Sequence, residues 1–309
     1  MAVLALGLAL MSLQPAMAQA GTMQPRPVAP GVWMVQGAAA LGSGANRNFV
    51  SNAAFVVTPE GVVVVDALGA PVLARELLAA IRTITPAPVK LVVVTHYHAD
   101  HIYGLQVFKE AGATIVAHEQ GRGYLNSDAA QLRLQASRQE LAPWIDAQTR
   151  LVAADRWLTG PERFTLGGVE FLLQPAGPAH TPEDLVLVLP RQGVLIAGDL
   201  VFRGRVPFVG QADSARWVRS LDALLALQPR FIVPGHGPVS EDAAADLALT
   251  RDYLMHLRTT MGEAARNLEP FDEAYARADW SRFEHLPLFK AANRINAYNT
   301  YLLMEQAGR

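Results

Sequence analysis

Three histidines and an aspartate crowd into six residues, His96, His98, Asp100 and His101, directly behind the apolar run Leu91-Val92-Val93-Val94. A short apolar run of this kind reads as a buried strand. The cluster therefore stands at the end of a strand, where the fold has to hold it in place. Imidazole and carboxylate groups packed that densely are costly unless something engages them. Together they suit zinc and similar divalent cations.

Three further ligand-capable side chains follow at turns downstream. His180 lies in Pro178-Ala179-His180-Thr181-Pro182, Asp199 in Ala197-Gly198-Asp199, and His236 in Val233-Pro234-Gly235-His236-Gly237. Glycine or proline fixes each turn, and glycine lets the backbone approach a bound ion closely. A lone histidine is more often a satisfied structural residue. A set of such sites, each at a strand end, points to a shared centre.

The chain contains no cysteine. Thiolate is thereby excluded as a ligand, and any metal must be held by histidine and carboxylate. Disulfides and a cysteine-linked lipid anchor are excluded too. A net charge of −2 with dispersed charges argues against a nucleic-acid partner and against a polybasic membrane surface. Residues 1–20 combine an apolar run with small residues before Ala18 and Ala20, which reads as a secretory signal peptide. A periplasmic or secreted protein without a membrane anchor in its mature form is expected.

Periodicity and turn signals organise the rest. Strands are expected over residues 31–36, 49–57, 62–66, 91–94 and 114–117, and again over 164–166, 169–174, 185–189, 194–197 and 231–233. Helices are expected over 72–84, 104–110, 127–144, 214–227 and 243–265. Two halves with the same order of elements imply mixed sheets covered by helices, an α/β class. No linker separates independent domains. The expected division is a main domain over 21–265 and a C-terminal extension over 266–309 packed on it.

The full ligand combination resembles the metallo-β-lactamase-fold superfamily of metallohydrolases. Its signature His-x-His-x-Asp-His matches His96 to His101 at every ligand position, and His180, Asp199, His236 and the early strand-end Asp66 follow its other motifs in order. The resemblance covers roughly residues 30 to 240. It implies a four-layered αβ/βα sandwich with a dinuclear site between the sheets. It places His96, His98 and His180 on one metal and Asp100, His101 and His236 on the other. Asp199 bridges them, Asp66 orients a ligand or its loop, and Asp100 also orients a metal-bridging hydroxide. Two divalent ions are expected, zinc foremost, with iron and manganese as alternatives.

Departures narrow the reading. β-Lactamases of this fold usually carry Cys or Ser where Asp199 stands, so the set is similar to glyoxalase-II-like hydrolases. Flavo-di-iron relatives place Glu where His98 stands, which argues for hydrolysis. The segment after Asp199 and the long tail are similar to exported metallohydrolases associated with sulfur oxidation or quinoprotein systems. The implied activity is hydrolysis of a small-molecule thioester, ester or lactone. The competing readings are a broad-specificity β-lactamase and a non-catalytic metal-binding accessory protein of a periplasmic redox pathway. No segment specifies an oligomeric state.

Other residues carry weaker signals. His118, His256 and His285 read as structural. Arg203 and Arg205 either meet an anionic substrate or, the favoured reading, are solvated at the surface. Asn293, Asn296, Asn299, Tyr298 and Tyr301 either build a lid or pack the tail.

Overall fold

The computed structural model describes residues 23–210 and 212–307. The segment read as a signal peptide lies outside them. Seven strands form the first sheet in sequence order: β1 (Arg26–Ala29), β2 (Val32–Val35), β3 (Ala53–Thr58), β4 (Gly61–Val65), β5 (Val89–Val93), β6 (Thr114–His118) and β7 (Arg156–Leu158). The first four are antiparallel, and β4 to β7 run parallel. Five strands form the second sheet: β8 (Glu162–Leu166), β9 (Val169–Pro175), β10 (Leu185–Leu189), β11 (Val194–Phe202) and β12 (Phe231–His236). Here only the β11–β12 pair is parallel.

Strand alternation builds the layers. Along β4, Val62 and Val64 enter one apolar core while Val63 and Val65 enter another. On β11, Val194 and Ile196 face the inter-sheet core, and Leu195 and Ala197 the opposite one. The period of two thus gives each sheet two buried faces. The inter-sheet core pairs Val63, Val65 and Val93 with Leu187, Ile196 and Val233.

Helices cover the outer faces. On the first sheet lie α1 (Pro71–Ile84), α2 (Ala99–Ile102), α3 (Leu105–Glu110), α4 (Gly121–Leu125) and α5 (Asp128–Glu140). Pro71 opens α1 where a missing N–H costs nothing. On the second lie α6 (Ser214–Ala226), α7 (Ala243–Arg266), α8 (Phe271–Arg277) and α9 (Phe289–Ala307). Asp213 and Asp242 cap α6 and α7 by accepting from Arg216 N and Ala245 N. Helix, sheet, sheet, helix is the four-layered sandwich expected from the motifs. Among the described residues, no helix is long and apolar enough to cross a membrane.

The structure also differs from the expected elements. The short edge strands β1 and β7 carried too little pattern to be recognised. The segment 127–144 is helical only to Glu140 and then turns at Ala142-Pro143. The tail forms two helices that share the core of α7, with Ala274, Phe283, Ala292 and Ala297 buried there.

Candidate metal centre

The seven ligand candidates converge where the C-terminal ends of β5, β11 and β12 meet. His96 and His98 leave β5 on an extended segment. Asp100 and His101 sit on the single turn of α2, which begins inside the motif rather than after it. Backbone hydrogen bonds tie the motif to both halves of the fold: Ala67 N after β4 donates to His101 O, and Leu185 N on β10 donates to Thr95 O. Asp199 lies within β11, and His236 ends β12.

Two glycines permit this approach. Gly198 adopts φ +53°, and a Cβ there would meet the Thr95 side chain at 2.7 Å. A Cβ at Gly235 would collide with the Asp199 carboxylate.

The side chains sort into two groups. His96, His98, His180 and Asp199 present ligand atoms all within 4.8 Å of one another, and so do Asp100, His101 and His236. Within the first group, His180 Nε2 and His98 Nδ1 lie 3.0 Å apart. Asp199 stands between the groups. Its Oδ2 lies 3.4 Å from His180 Nε2 and 3.3 Å from His236 Nε2, and its Oδ1 lies 3.2 Å from His101 Nε2.

The buried atoms fit a pair of cations. Among the described residues, His96 Nε2, His101 Nε2 and Asp199 Oδ1 are buried without a hydrogen-bond partner. Such orphans are rare in folded proteins and call for an explanation. Three imidazoles and a carboxylate in one group, and two imidazoles and a carboxylate in the other, match divalent-cation chemistry.

The opposite edges of the His96, His101 and His236 rings are held by specific partners. Asp66 accepts from Thr95 N at 2.8 Å with Oδ1, and its Oδ2 accepts from both Thr95 Oγ1 and His101 Nδ1 at 2.8 Å. Thr95 Oγ1, having donated to Asp66, accepts from His96 Nδ1 at 3.0 Å. One carboxylate thus fixes the tautomers of two histidines, one in each group, and leaves both Nε2 lone pairs facing inward. His236 Nδ1 donates to Val50 O at 2.7 Å, which fixes the third.

Electrostatics follow the same division. Burial, reinforced by the neighbouring His101, holds the His96 pKa well below its ordinary value, and burial with His98 nearby takes His180 down to about 3. These rings stay neutral, as ligands must. Burial also disfavours charge on His101 and His236, but Asp199 and the other facing carboxylates outweigh it and raise both. Burial would raise Asp100 and Asp199, yet these imidazoles hold both carboxyls below the usual range. The close-set carboxylates Asp100 and Asp199 demand positive charge, whether from protons or from metal ions.

The structure brings together the seven residues singled out in the sequence as ligand candidates, with Asp66 behind them. Sequence reasoning missed Thr95 and Asn52. Asn52 Nδ2 donates to Pro234 O and Gly237 O, both at 2.8 Å, and so clamps the turn that presents His236. The partners lie 182 and 185 residues away, so no local pattern announces them. It also misjudged Arg205. That side chain is 2% exposed and lines the cavity over the centre, whereas Arg203 pairs with Asp246 at 2.8 Å. His118, His256 and His285 lie outside both groups.

The chain belongs to the metallo-beta-lactamase superfamily, whose sequence profile matches residues 46–236. A linear primary-alkylsulfatase of Pseudomonas sp. is 30% identical over 241 residues, covering 65% of this chain and 45% of that protein. The chain thus spans under half the length of this relative. The metallo-beta-lactamase IND-1 of Chryseobacterium indologenes is 25% identical over 195 residues, covering 62% of this chain and 73% of the enzyme. Among solved structures, an inverting sec-alkylsulfatase from Pseudomonas sp. superposes with a TM-score of 0.69 at 18% identity, over 91% of this chain and 50% of the other. A metallo-beta-lactamase from Pontibacter korlensis gives 0.60 at 24% identity, over 75% and 99%. At these identities the superpositions speak to fold alone.

Proposed function

We propose that the chain is an exported hydrolase with two divalent ions, zinc foremost, that cleaves a thioester, ester or lactone in a small molecule. The observation that carries this reading is the set of orphaned, inward-facing atoms on His96, His101 and Asp199. In the proposal His96, His98 and His180 hold one ion, and Asp100, His101 and His236 the other, with Asp199 shared. Two such ions would supply Lewis acidity for a developing oxyanion and acidify water towards a pKa of ~7.

The chain's own residues do the rest. Asp66, through Thr95 and directly, keeps two imidazoles in the ligating tautomer. Asp100 Oδ2 lies 3.3 Å from His236 Nε2, and its side chain is 23% exposed, so it faces the cavity as well as the ligand cluster. From there it can accept a proton from the attacking water and hold it in line. The cavity over the centre measures about 520 Å³ and has Asp100, His98, His180 and Asp199 in its floor. That volume suits a small molecule. The active unit in the proposal is the main domain over 21–265 with the extension over 266–309 packed on it, made with a cleaved leader over 1–20.

A second reading is hydrolysis of a sulfate ester, favoured by the 30% identity to the linear primary-alkylsulfatase. The test is metal analysis of the purified protein, then turnover of thioester, carboxylic ester, lactone, β-lactam and alkyl sulfate substrates on that same sample. Two equivalents of metal with turnover that chelation abolishes would support the reading. Metal-free protein, or metal-loaded protein inert across the panel, would overturn it.

A further inference from the structure

His180 is held differently from its neighbours in the cluster. Its Nε2 faces inward, 3.0 Å from His98 Nδ1 and 3.4 Å from Asp199 Oδ2. Its Nδ1, on the opposite edge, is buried and has no hydrogen-bond partner among the described residues. His96, His101 and His236 each present that same nitrogen to an oxygen. A buried polar atom left in this way is uncommon and calls for an explanation.

Aromatic rings wall this imidazole instead. The Trp217 ring centroid lies 5.1 Å from that of His180 at an interplanar angle of 62°, and the Phe202 centroid lies 5.8 Å away at 68°. Both are edge-to-face contacts, an arrangement that aromatic quadrupoles favour. Trp217 is fully buried, and its Nε1 donates to Leu200 O at 3.0 Å, which locks the indole to the residue after Asp199. Three residues further along α6, Ser220 Oγ donates to Ala176 O at 2.7 Å, at the start of the turn that carries His180. Positions three apart share a helix face. One face of α6 thus grips both the ring of His180 and the backbone that leads to it.

The torsion that swings an imidazole about its Cβ–Cγ bond is broad, so the ring must be oriented from outside. Hydrogen bonds do this for His96, His101 and His236. We propose that Trp217 is the positioning residue of His180, holding the ring by aromatic contact so that Nε2 faces the ion shared with His96 and His98. A His180 that ligates through Nε2 carries its proton on Nδ1, and that N–H then lies among rings with no oxygen to accept it. This inference rests on the proposed metal centre and says how one of its ligands is kept in place.

Long-range proton–nitrogen NMR of the zinc-loaded, full-length protein tests it without any substitution. The Nδ1 proton of His180 should resonate at higher field than those of His96, His101 and His236, which hydrogen bonds to oxygen move downfield. Two variants then ask whether the indole does the positioning. Trp217→Leu removes the ring and should weaken one zinc equivalent about tenfold, the lower end of what losing an outer partner costs. The nitrogen shifts of His101 and His236 should remain those of zinc-bound imidazoles. Trp217→Phe keeps an aromatic wall and should restore most of the affinity. Leu254→Ala, a buried change in the same core on α7, should lower stability and leave both zinc equivalents as they are.

A His180 Nδ1 proton as far downfield as the other three overturns the inference, whether or not a variant folds. So does a Trp217→Leu protein that binds both equivalents with wild-type affinity. Equal weakening of both equivalents in Trp217→Leu and in Leu254→Ala also overturns it, because stability alone would then account for the effect. A wild type that takes up no zinc sinks the proposed metal centre itself and this inference with it, a result distinct from zinc held by a hydrogen-bonded His180.

Discussion

Single atoms decide what this centre can bind. Asp66 adopts φ +62°, a left-handed conformation that Asn tolerates well. Asp66→Asn therefore keeps the backbone and replaces one oxygen by a donor. The new Nδ2–H would face Thr95 Oγ1 and His101 Nδ1, where Asp66 now accepts at 2.8 Å. His101 would then move its proton to Nε2 and lose the inward lone pair. We expect zinc affinity in the His101 group to fall about 10- to 100-fold, the usual effect of removing an outer partner. Competitive chelator titration should show one equivalent leaving well before the other. Two equivalents with wild-type affinity would contradict the tautomer argument.

Asp184 gives a second prediction at the same scale. Burial pushes its carboxyl up to about 8, although Thr181 N and Thr181 Oγ1 both donate to it at 2.8 Å. A pKa raised on folding means that the native state keeps a proton which the unfolded chain has lost. The contribution is full below the ordinary carboxyl range, declines as pH rises and is gone above about 8. Asp184→Asn, which cannot ionise, should flatten the fall in stability between about pH 4 and pH 8. Urea midpoints of the metal-free protein measured across that range check it. Parallel slopes in both proteins would show that Asp184 does not titrate there.

At the scale of elements, the strands whose faces are both buried were legible because they read as continuous valine and leucine runs. The clustered ligand candidates were legible because they close those runs at short spacing. What escaped has one physical cause. The edge strands β1 and β7 and the helices of the tail owe their place to distant contacts, and so do Asn52, Thr95 and Arg205. Arg205 shows the limit most clearly. Its sequence neighbourhood, Arg203-Gly204-Arg205, reads as a polar loop, yet the distant His236 on β12 packs against it beside the nearby Phe202 and Phe208. Asn52 connects the start of β3 to the end of β12, across the two sheets. Asn52→Ala would strand the acceptors Pro234 O and Gly237 O and the donor Gly37 N in a buried site. A loss of about 3 kcal/mol is expected from several orphaned groups. Denaturant unfolding measures it, and a loss below about 1 kcal/mol would mean that the turn holds His236 without the clamp.

At the scale of the whole molecule, the tail reaches back to the mouth of the site. Asn296 on α9 is fully buried, accepts from Val209 N at 2.9 Å, and donates to Pro207 O at 2.7 Å and Tyr253 OH at 2.9 Å. Val206 N also donates to Pro287 O at 3.1 Å. The segment that follows Arg205 and carries Phe208 is therefore pinned from the C-terminal side, although its ligand neighbour Asp199 is pinned by the second sheet. Asn296 and Asn293 serve packing, and Tyr301 OH likewise donates inward to Glu269 O at 2.9 Å. Asn296→Leu keeps the branched heavy-atom outline and removes the polar atoms that hold the segment. Stability should drop by about 2 kcal/mol, the scale for buried groups left unpaired. Because the ligand candidates hang on β5, α2, β11, β12 and the turn between β9 and β10, metal content should not change. Because Phe208 packs against Arg205, KM for an accepted substrate should rise while kcat changes little. Metal analysis and steady-state kinetics separate these outcomes. A variant that loses metal and kcat together would place the tail in support of the centre itself, and one with unchanged KM would detach it from the site.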